Sequence, residues 1–397
     1  MPTNKITISE YVAREALRGL HNSSTLIGNC DRKYTKEFAK EGAKAGRKVV
    51  IKKPARFVAT EGKSYQPQAV EEDTATITIG LPTGVHFEMD LLEATLDIDQ
   101  NKADYSKRVI MPAGRALGAK VESKGYKVLA QNVNSSIVLA AAPTLKDFNR
   151  AKSFLDRNLA PVGNRVSAIG SNTEVELTDS IKTLYNAQAV VDAAIRKGEI
   201  SEAVGLRWMT TQLGYIHTNG GGTGKTITLT FTTSGAATCT LGGANVADAK
   251  VGDAVNLGVF LVNPETKEST GVLAQRTIVA IAGSTATLSE PVWWNGVGQN
   301  VSAQPTSAAI LGVAGQSYLV DCVYHRDAIT LVNPDLYEPK NMEMSFRTDG
   351  EFDPNLSILF TRSYADGDMS LRNRLDGLFT WQVLRPEWGV RVMTPIS

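Results

Sequence analysis

One stretch constrains the fold of this chain more than any other: residues 251–282, VGDAVNLGVFLVNPETKESTGVLAQRTIVAIA. Val255, Leu257, Val259 and Leu261 recur at period two, the spacing of side chains on one face of a β-strand. Asn263-Pro264 offers the turn residue and the fixed φ of a type I turn, and 272–281 supplies a return strand rich in β-branched residues. The pattern predicts a hairpin. Upstream, 225–232 alternates Thr with Ile227, Leu229 and Phe231, and downstream Gly283 precedes a further short strand over 284–288. Together these predict a small all-β unit over 220–305, set inside a chain that is mixed α and β on both sides.

Before that unit, residues 7–20 fit an amphipathic helix capped by Ser9, with Val12, Ala16, Leu17 and Leu20 on one face. Residues 46–90 read as a long hairpin with limbs 47–59 and 74–89 and a polar tip at 61–67. Its charges sort by limb: Arg47, Lys48, Lys52, Lys53 and Arg56 on the first, Glu71, Glu72 and Asp73 near the start of the second. Such charges can be ordinary solvated surface. They can also set register where an arm too extended to bury its own faces lies on a neighbouring copy. Over 101–130 the period becomes helical, with Ile110, Ala113, Leu117 and Val121 on one stripe, predicting a long spine helix that Pro112 either opens or kinks. Gly114, Gly118 and Gly125 each cost such a helix about 1 kcal/mol relative to Ala, so close packing against another element is expected. Thr144 and Asp147 form a capping-box variant for a helix with Leu145, Phe148, Ala151 and Leu155 facing inward. A strand over 165–169 and a helix over 178–189 continue an α/β lobe. From 342 onward the chain reads as mostly β, including 358–361 and 378–384.

At 42% hydrophobic content the chain can bury a sizeable core, and 397 residues allow two or three lobes. A formal charge of +1 gives no overall basic field for nucleic acid or anionic membrane, so any such contact must be local. The longest apolar runs, such as 137–142, are far too short to cross a bilayer, and no apolar stretch of secretory length follows Met1. The expectation is a soluble protein made in the cytoplasm. Cys30, Cys239 and Cys322 are odd in number and lack a CxxC, which predicts reduced, packing cysteines and neither a disulfide framework nor a zinc site.

Several motifs invite an enzymatic reading. Residues 219–226, NGGGTGKT, nearly spell a phosphate-binding loop, yet the first required glycine is Asn219 and a Thr-alternating strand follows where a helix should begin. A flexible glycine linker into the β unit accounts for it better; a nucleotide-hydrolysing enzyme resting on Lys225 and Thr226 is the rival. His325-Arg326-Asp327 has the wording of a kinase catalytic loop without its asparagine in place or a following Asp-Phe-Gly, so structural burial is expected. Asp366-Gly-Asp368 starts a calcium loop but lacks the later ligands. His21, His86, His217 and His325 lie in unrelated segments without metal-ligand spacing. Trp293-Trp294 leaves a third class open, a β-rich adhesion or carbohydrate-binding module, against the plain expectation of one buried indole and one on the rim of the β unit. No catalytic residue, cofactor or metal is expected.

Three segments carry a family resemblance: the GD…GV…VNPETKESTG wording within 251–282, YLVDCVYHRDAITLV at 318–332, and the RPEWGV close at 385–390. They resemble the coat proteins of short-tailed phages, major capsid proteins of the Hong Kong 97-type fold that carry an extra β domain. The segment 195–208 resembles the one that leads these proteins toward their insertion. The resemblance implies an α+β subunit: an N-terminal arm (1–45), an extended hairpin loop (46–90), a peripheral domain with the spine helix (91–134 and 346–397), an axial domain (135–219 and 306–345) and an inserted β-barrel (220–305). It further implies that the hairpin reaches across an adjacent subunit, giving Arg47, Lys48, Lys52, Lys53, Arg56, Glu71, Glu72 and Asp73 the role of inter-subunit contacts. Partners implied are copies of itself in pentamers and hexamers of an icosahedral shell, a scaffolding protein, a portal and enclosed double-stranded DNA bound without sequence specificity, with no membrane. The place implied is the virion, assembled in the host cytoplasm. Some such shells are welded by a loop lysine and a neighbour's asparagine; Lys52, Lys53 and Lys63 lie in the corresponding loop, but no acid–asparagine signature accompanies them and no crosslink is expected.

Overall fold

The computed structural model describes residues 8–23, 25–34, 48–54, 57, 67, 74–90, 106–181, 202–222, 224–337, 344–349, 356–365 and 370–396. The chain forms two compact units, one of 1–50, 76–125 and 330–382, the other of 51–75, 126–329 and 383–397.

In the first unit, α1 (Ile8–Ser23) buries Val12, Ala16, Leu17 and Leu20 as their spacing predicts, with Ala13 beside them. Ser9 lies inside its first turn. The spine helix, α2 (Met111–Asn132), follows a π-helical turn at Ser106–Ile110. Pro112 is the second residue of its α-helical part, directly after that π-helical turn. Gly114 has found its partner in α1: a Cβ there would run into the Ala16 backbone, and one on Gly19 of α1 would come within 2.8 Å of the Met111 carbonyl oxygen. Gly125 meets Leu26 and Trp381, whose indole N–H donates to the Val121 carbonyl at 2.9 Å. Glu122, buried on the same helix, accepts from the Thr25 hydroxyl at 2.8 Å and from the amides of Thr25 and Leu26, so it caps the chain as it leaves α1.

A four-stranded antiparallel sheet completes that unit in the order β17 (Met344–Asp349), β18 (Ser357–Ala365), β19 (Ser370–Gly377), β3 (Thr83–Asp90). Here the predicted second limb of the long hairpin divides. Its first part, β2 (Thr74–Thr78), pairs with β1 (Lys48–Lys52), whereas β3 pairs with β19 from Thr83↔Gly377 to Asp90↔Ser370. Gly80 and Pro82 stand at the break, and proline cannot donate to a ladder. A separate pair joins β16 (Ile329–Val332) to β20 (Thr380–Val383).

The second unit holds a seven-stranded sheet: β4 (Ser135–Val138), β21 (Gly389–Pro395), β15 (Ser317–His325), β5 (Arg165–Gly170), β7 (Leu206–Thr211) and β6 (Glu202–Ala203), with β8 (Tyr215–Thr218) added alongside β15. Phe148, Ala151 and Leu155 of α3 (Leu145–Arg157) and Leu177 of α4 (Ser171–Ile181) share an apolar core with Ile169, Val323, Val390 and Val392 of this sheet. The capping box at Thr144 and Asp147 is present, the Thr144 hydroxyl donating to Asp147 Oδ2 at 2.6 Å. The next helix begins at Ser171, earlier than its periodicity suggests, because its cap comes from elsewhere: Asp321 on β15 accepts from the Gly170 amide and the Thr173 hydroxyl, each at 2.7 Å. Residues 182–189 of the predicted helix lie outside the described residues.

The remaining strands close a six-stranded antiparallel barrel, β10 (Ala236–Gly242), β13 (Thr285–Val292), β12 (Ser269–Ala282), β11 (Ala254–Val262), β14 (Ser307–Ile310) and β9 (Thr226–Thr230), which returns to β10. Ile227, Leu229, Val255, Leu257 and Leu261 fill its core as the period-two reading requires, while the threonines of β9 face out. The β11–β12 turn is held by Asn263, whose side-chain oxygen accepts from the amides of Glu265 at 2.9 Å and Thr266 at 3.2 Å. Closure needs β14, which lies past the sequence-predicted limit at Pro305.

Candidate functional site: arm, barrel and junction

On β1, Lys48, Val50 and Lys52 are exposed, Val50 at 59%, and period-two spacing puts the three on one face; Ile51 and, just past the strand, Lys53 are half-buried. The facing strand β2 exposes Thr74, Thr76 and Thr78 and buries Ile77. A two-stranded ribbon of this kind cannot cover both of its faces, and the exposed one offers an aliphatic centre between two cations. Phe57, further along the same limb, is 58% exposed. Arg47, Arg56, Glu71, Glu72 and Asp73 lie outside the described residues.

The barrel meets the seven-stranded sheet through hydrogen bonds. Arg391, fully buried on β21, donates from Nε to Ser136 Oγ at 2.9 Å, from Nη1 to the Gly252 carbonyl at 2.7 Å and from Nη2 to Thr277 Oγ1 at 3.1 Å. Burial lowers its pKa to about 10, so the guanidinium keeps its charge at neutral pH. Thr277 in turn donates its hydroxyl to the Val133 carbonyl at 2.6 Å. The outward amide of Ser136, on edge strand β4, donates to Gln275 Oε1 at 2.7 Å. Asn134 bridges Ser289 and Glu290 at 2.7 and 2.6 Å, and Glu290 lies 3.0 Å from the buried guanidinium of Arg276. His217 on β8 reaches Asp253 at 2.9 Å, and Asp253 also accepts from the Lys250 amide at 2.9 Å. Gly252 presents its carbonyl from a left-handed conformation at φ +96° with His217 against its Cα face. None of these residues was singled out from sequence for this role. The Gly252-Asp253 pair within the resemblance and a lone Arg391 between Val390 and Val392 were the available signals.

The tempting motifs resolve into structure. Asn219 is buried, its amide donating to the Gln316 carbonyl at 3.0 Å and its side chain to the Leu311 carbonyl at 2.6 Å. Gly220, Gly221 and Gly222 are not a flexible linker: a Cβ on each would strike the Asp248 carbonyl, Ile310 and Ala314 respectively. Lys225 lies 3.1 Å from the Asp248 carboxylate, and β9 starts at the next residue. His325 is buried edge-on to Trp388 at 5.3 Å, and its Nδ1 accepts from the Asp327 amide at 3.2 Å. His86 sits 3.3 Å from Asp376 on the four-stranded sheet, so the described histidine side chains occupy separate places. Residues 366–368 lie outside the described residues. Trp293 and Trp294 are both half-buried, the first against Gly235 and Gly298, the second edge-on to Phe231 at 6.0 Å. Cys30, Cys239 and Cys322 are buried, and burial pushes the thiols of Cys239 and Cys322 up to about 11 and about 12. Among the described residues no group of His, Cys, Asp or Glu could hold a metal ion, and no helix is long and apolar enough to cross a membrane.

A family model described as P22 coat protein, gene protein 5, matches residues 1–394. The chain belongs to the P22 coat protein family. It is a major capsid protein, with the α+β architecture of the tailed-phage capsid fold. No curated protein matches it. Among solved structures it is similar to one of Mycobacterium phage Che8, at 11% identity and a TM-score of 0.47 over 93% of this chain and 90% of that one. It is also similar to the capsid of Cyanophage P-SCSP1u, at 13% identity and 0.46 over 89% and 85%, and to a virus-like particle from Pyrococcus furiosus, at 9% identity and 0.44 over 98% and 100%.

Proposed function

We propose that this subunit builds its shell by self-association through the hairpin arm, with the barrel steadying the subunit and touching neighbours. The observation that carries the reading is the exposed Lys48-Val50-Lys52 face of β1, on a ribbon too narrow to cover itself. Laid on a neighbour, it buries Val50 and Phe57 while the lysines meet acidic partners; Arg47, Lys53 and Arg56 and, on the other limb, Glu71, Glu72 and Asp73 take part in the same contacts. Each contact is modest, but one copy engages several others, and multivalent attachment turns weak contacts into a stable shell. Heterologous contacts that close into rings give the pentamers and hexamers of an icosahedral lattice. A net charge of +1 suits a container for double-stranded DNA, since a strongly basic wall would hold its contents in a salt-sensitive way. In this reading a scaffolding protein guides assembly in the host cytoplasm, a portal occupies one vertex, and the subunit performs no catalysis. The division into arm, hairpin loop, peripheral domain, axial domain and inserted barrel belongs to the same proposal.

Electron microscopy of the concentrated, purified protein tests it. Closed shells are expected; a chain that stays monomeric at every concentration and salt tried would sink the reading.

A further inference from the structure

The barrel and the seven-stranded sheet each possess their own apolar core. One is built wholly from residues within 227–310; the other comes from α3, α4 and strands β5, β7, β15 and β21. What joins them is polar. A buried cation donates to a serine of its own sheet and to two acceptors on the barrel, and all three acceptors are neutral. Buried polar contacts are directional, and they fix an arrangement more than they contribute net free energy. Opening such a joint exposes hydrogen-bonding groups to water, which can satisfy them, and leaves both apolar cores whole.

We propose that Arg391 is the positioning residue that holds the barrel in one pose on the sheet, and that this latch opens without unfolding either side. Gly252 and Thr277 are its barrel-side acceptors, and Ser136 anchors it on the sheet. A second bond runs in parallel, from the Ser136 amide to Gln275, so the edge strand β4 is sealed by the barrel only while the latch is shut. The bearing on shell building, that each subunit offers its neighbours a barrel in the same orientation, rests on the assembly reading above; the latch itself does not.

Hydrogen exchange on the dilute full-length chain, followed by mass spectrometry, tests it. In Arg391→Met, peptides containing Ser136 and Thr277 should exchange at least about tenfold faster. Peptides from β9 and β10 of the barrel and from β5 and β15 of the sheet should keep their wild-type protection. Arg391→Lys, which keeps the charge and can make fewer of the bonds, should fall between. Should Arg391→Met fail to fold, Thr277→Val removes one barrel-side acceptor and should give the same selective loss. Unchanged exchange at Ser136 and Thr277, or loosening that spreads equally through barrel and sheet, overturns the proposal. Microscopy of concentrated wild type runs alongside: an absence of shells there counts against assembly and leaves the exchange comparison intact.

Discussion

Asp321 makes a proton part of the fold. Its carboxyl caps α4 from a central strand, and burial raises its pKa from 3.8 to about 7 despite the donors from Thr173 and Gly170. The folded chain therefore binds more protons than the unfolded chain between those two values, and this group's contribution to stability falls as pH rises through that window. Asp321→Asn removes the titration and keeps an acceptor for the Gly170 amide. Urea melts at pH 5 and pH 8 should show wild type losing more than about 1 kcal/mol relative to the variant on going to the higher pH. Gly252 depends on conformation instead. At φ +96°, with His217 Cε1 2.8 Å from where a Cβ would lie, Gly252→Ala should cost at least about 2 kcal/mol. Gly283→Ala, at φ +61° with open space around it, should cost about 1 kcal/mol. Equal losses in the two variants would mean that crowding by His217 contributes nothing.

Elements that meet at the barrel's base define a natural excision. Thr218 pairs with Ser317 across the β8–β15 ladder, and the Asn219 amide donates to the Gln316 carbonyl at 3.0 Å, so residues 220–315 leave and return at one place. Replacing them with two glycines allows a tight hairpin turn. The seven-stranded sheet should survive, with its circular dichroism signal retained, but the melting temperature should drop, because Arg391, Asn134 and Ser136 lose their barrel-side partners. An unchanged melting temperature would show that the barrel does not stabilise the rest. The glycines on α2 belong to this scale too. Their cost to the helix is visible in sequence, while the compensation at Gly114, a backbone-to-backbone crossing with α1, depends on an element about a hundred residues away.

At the scale of the whole molecule, the alternation on β1 decides which charges act together. Lys48 and Lys52 share the exposed face, while Lys53, past the end of the strand, is half-buried. Reversing Lys48 and Lys52 to Glu together should abolish closed shells in electron micrographs while leaving the monomer's melting curve within about 0.5 kcal/mol of wild type, as surface substitutions do. Normal particles from that double variant would remove the arm from the contact set.

Sequence alone determined what depends on near neighbours along the chain. The β11–β12 hairpin, the Thr-alternating β9, the Thr144–Asp147 capping box and the buried stripe of α1 all follow from periodicity and local hydrogen bonding, and the wording of three segments was enough to indicate the family. Tertiary structure decided which distant element answers each local demand. Thr83–Asp90 reads as the continuation of a hairpin limb yet pairs with Ser370–Gly377, α4 starts early because Asp321 caps it from a strand about 150 residues away, and the glycines of 220–222 look like slack until Asp248, Ile310 and Ala314 fill the space beside them. Arg391 is the extreme case. A charged side chain between two valines on a central strand is tolerable only when a folded partner supplies its acceptors, and that partner is chosen by packing across the molecule.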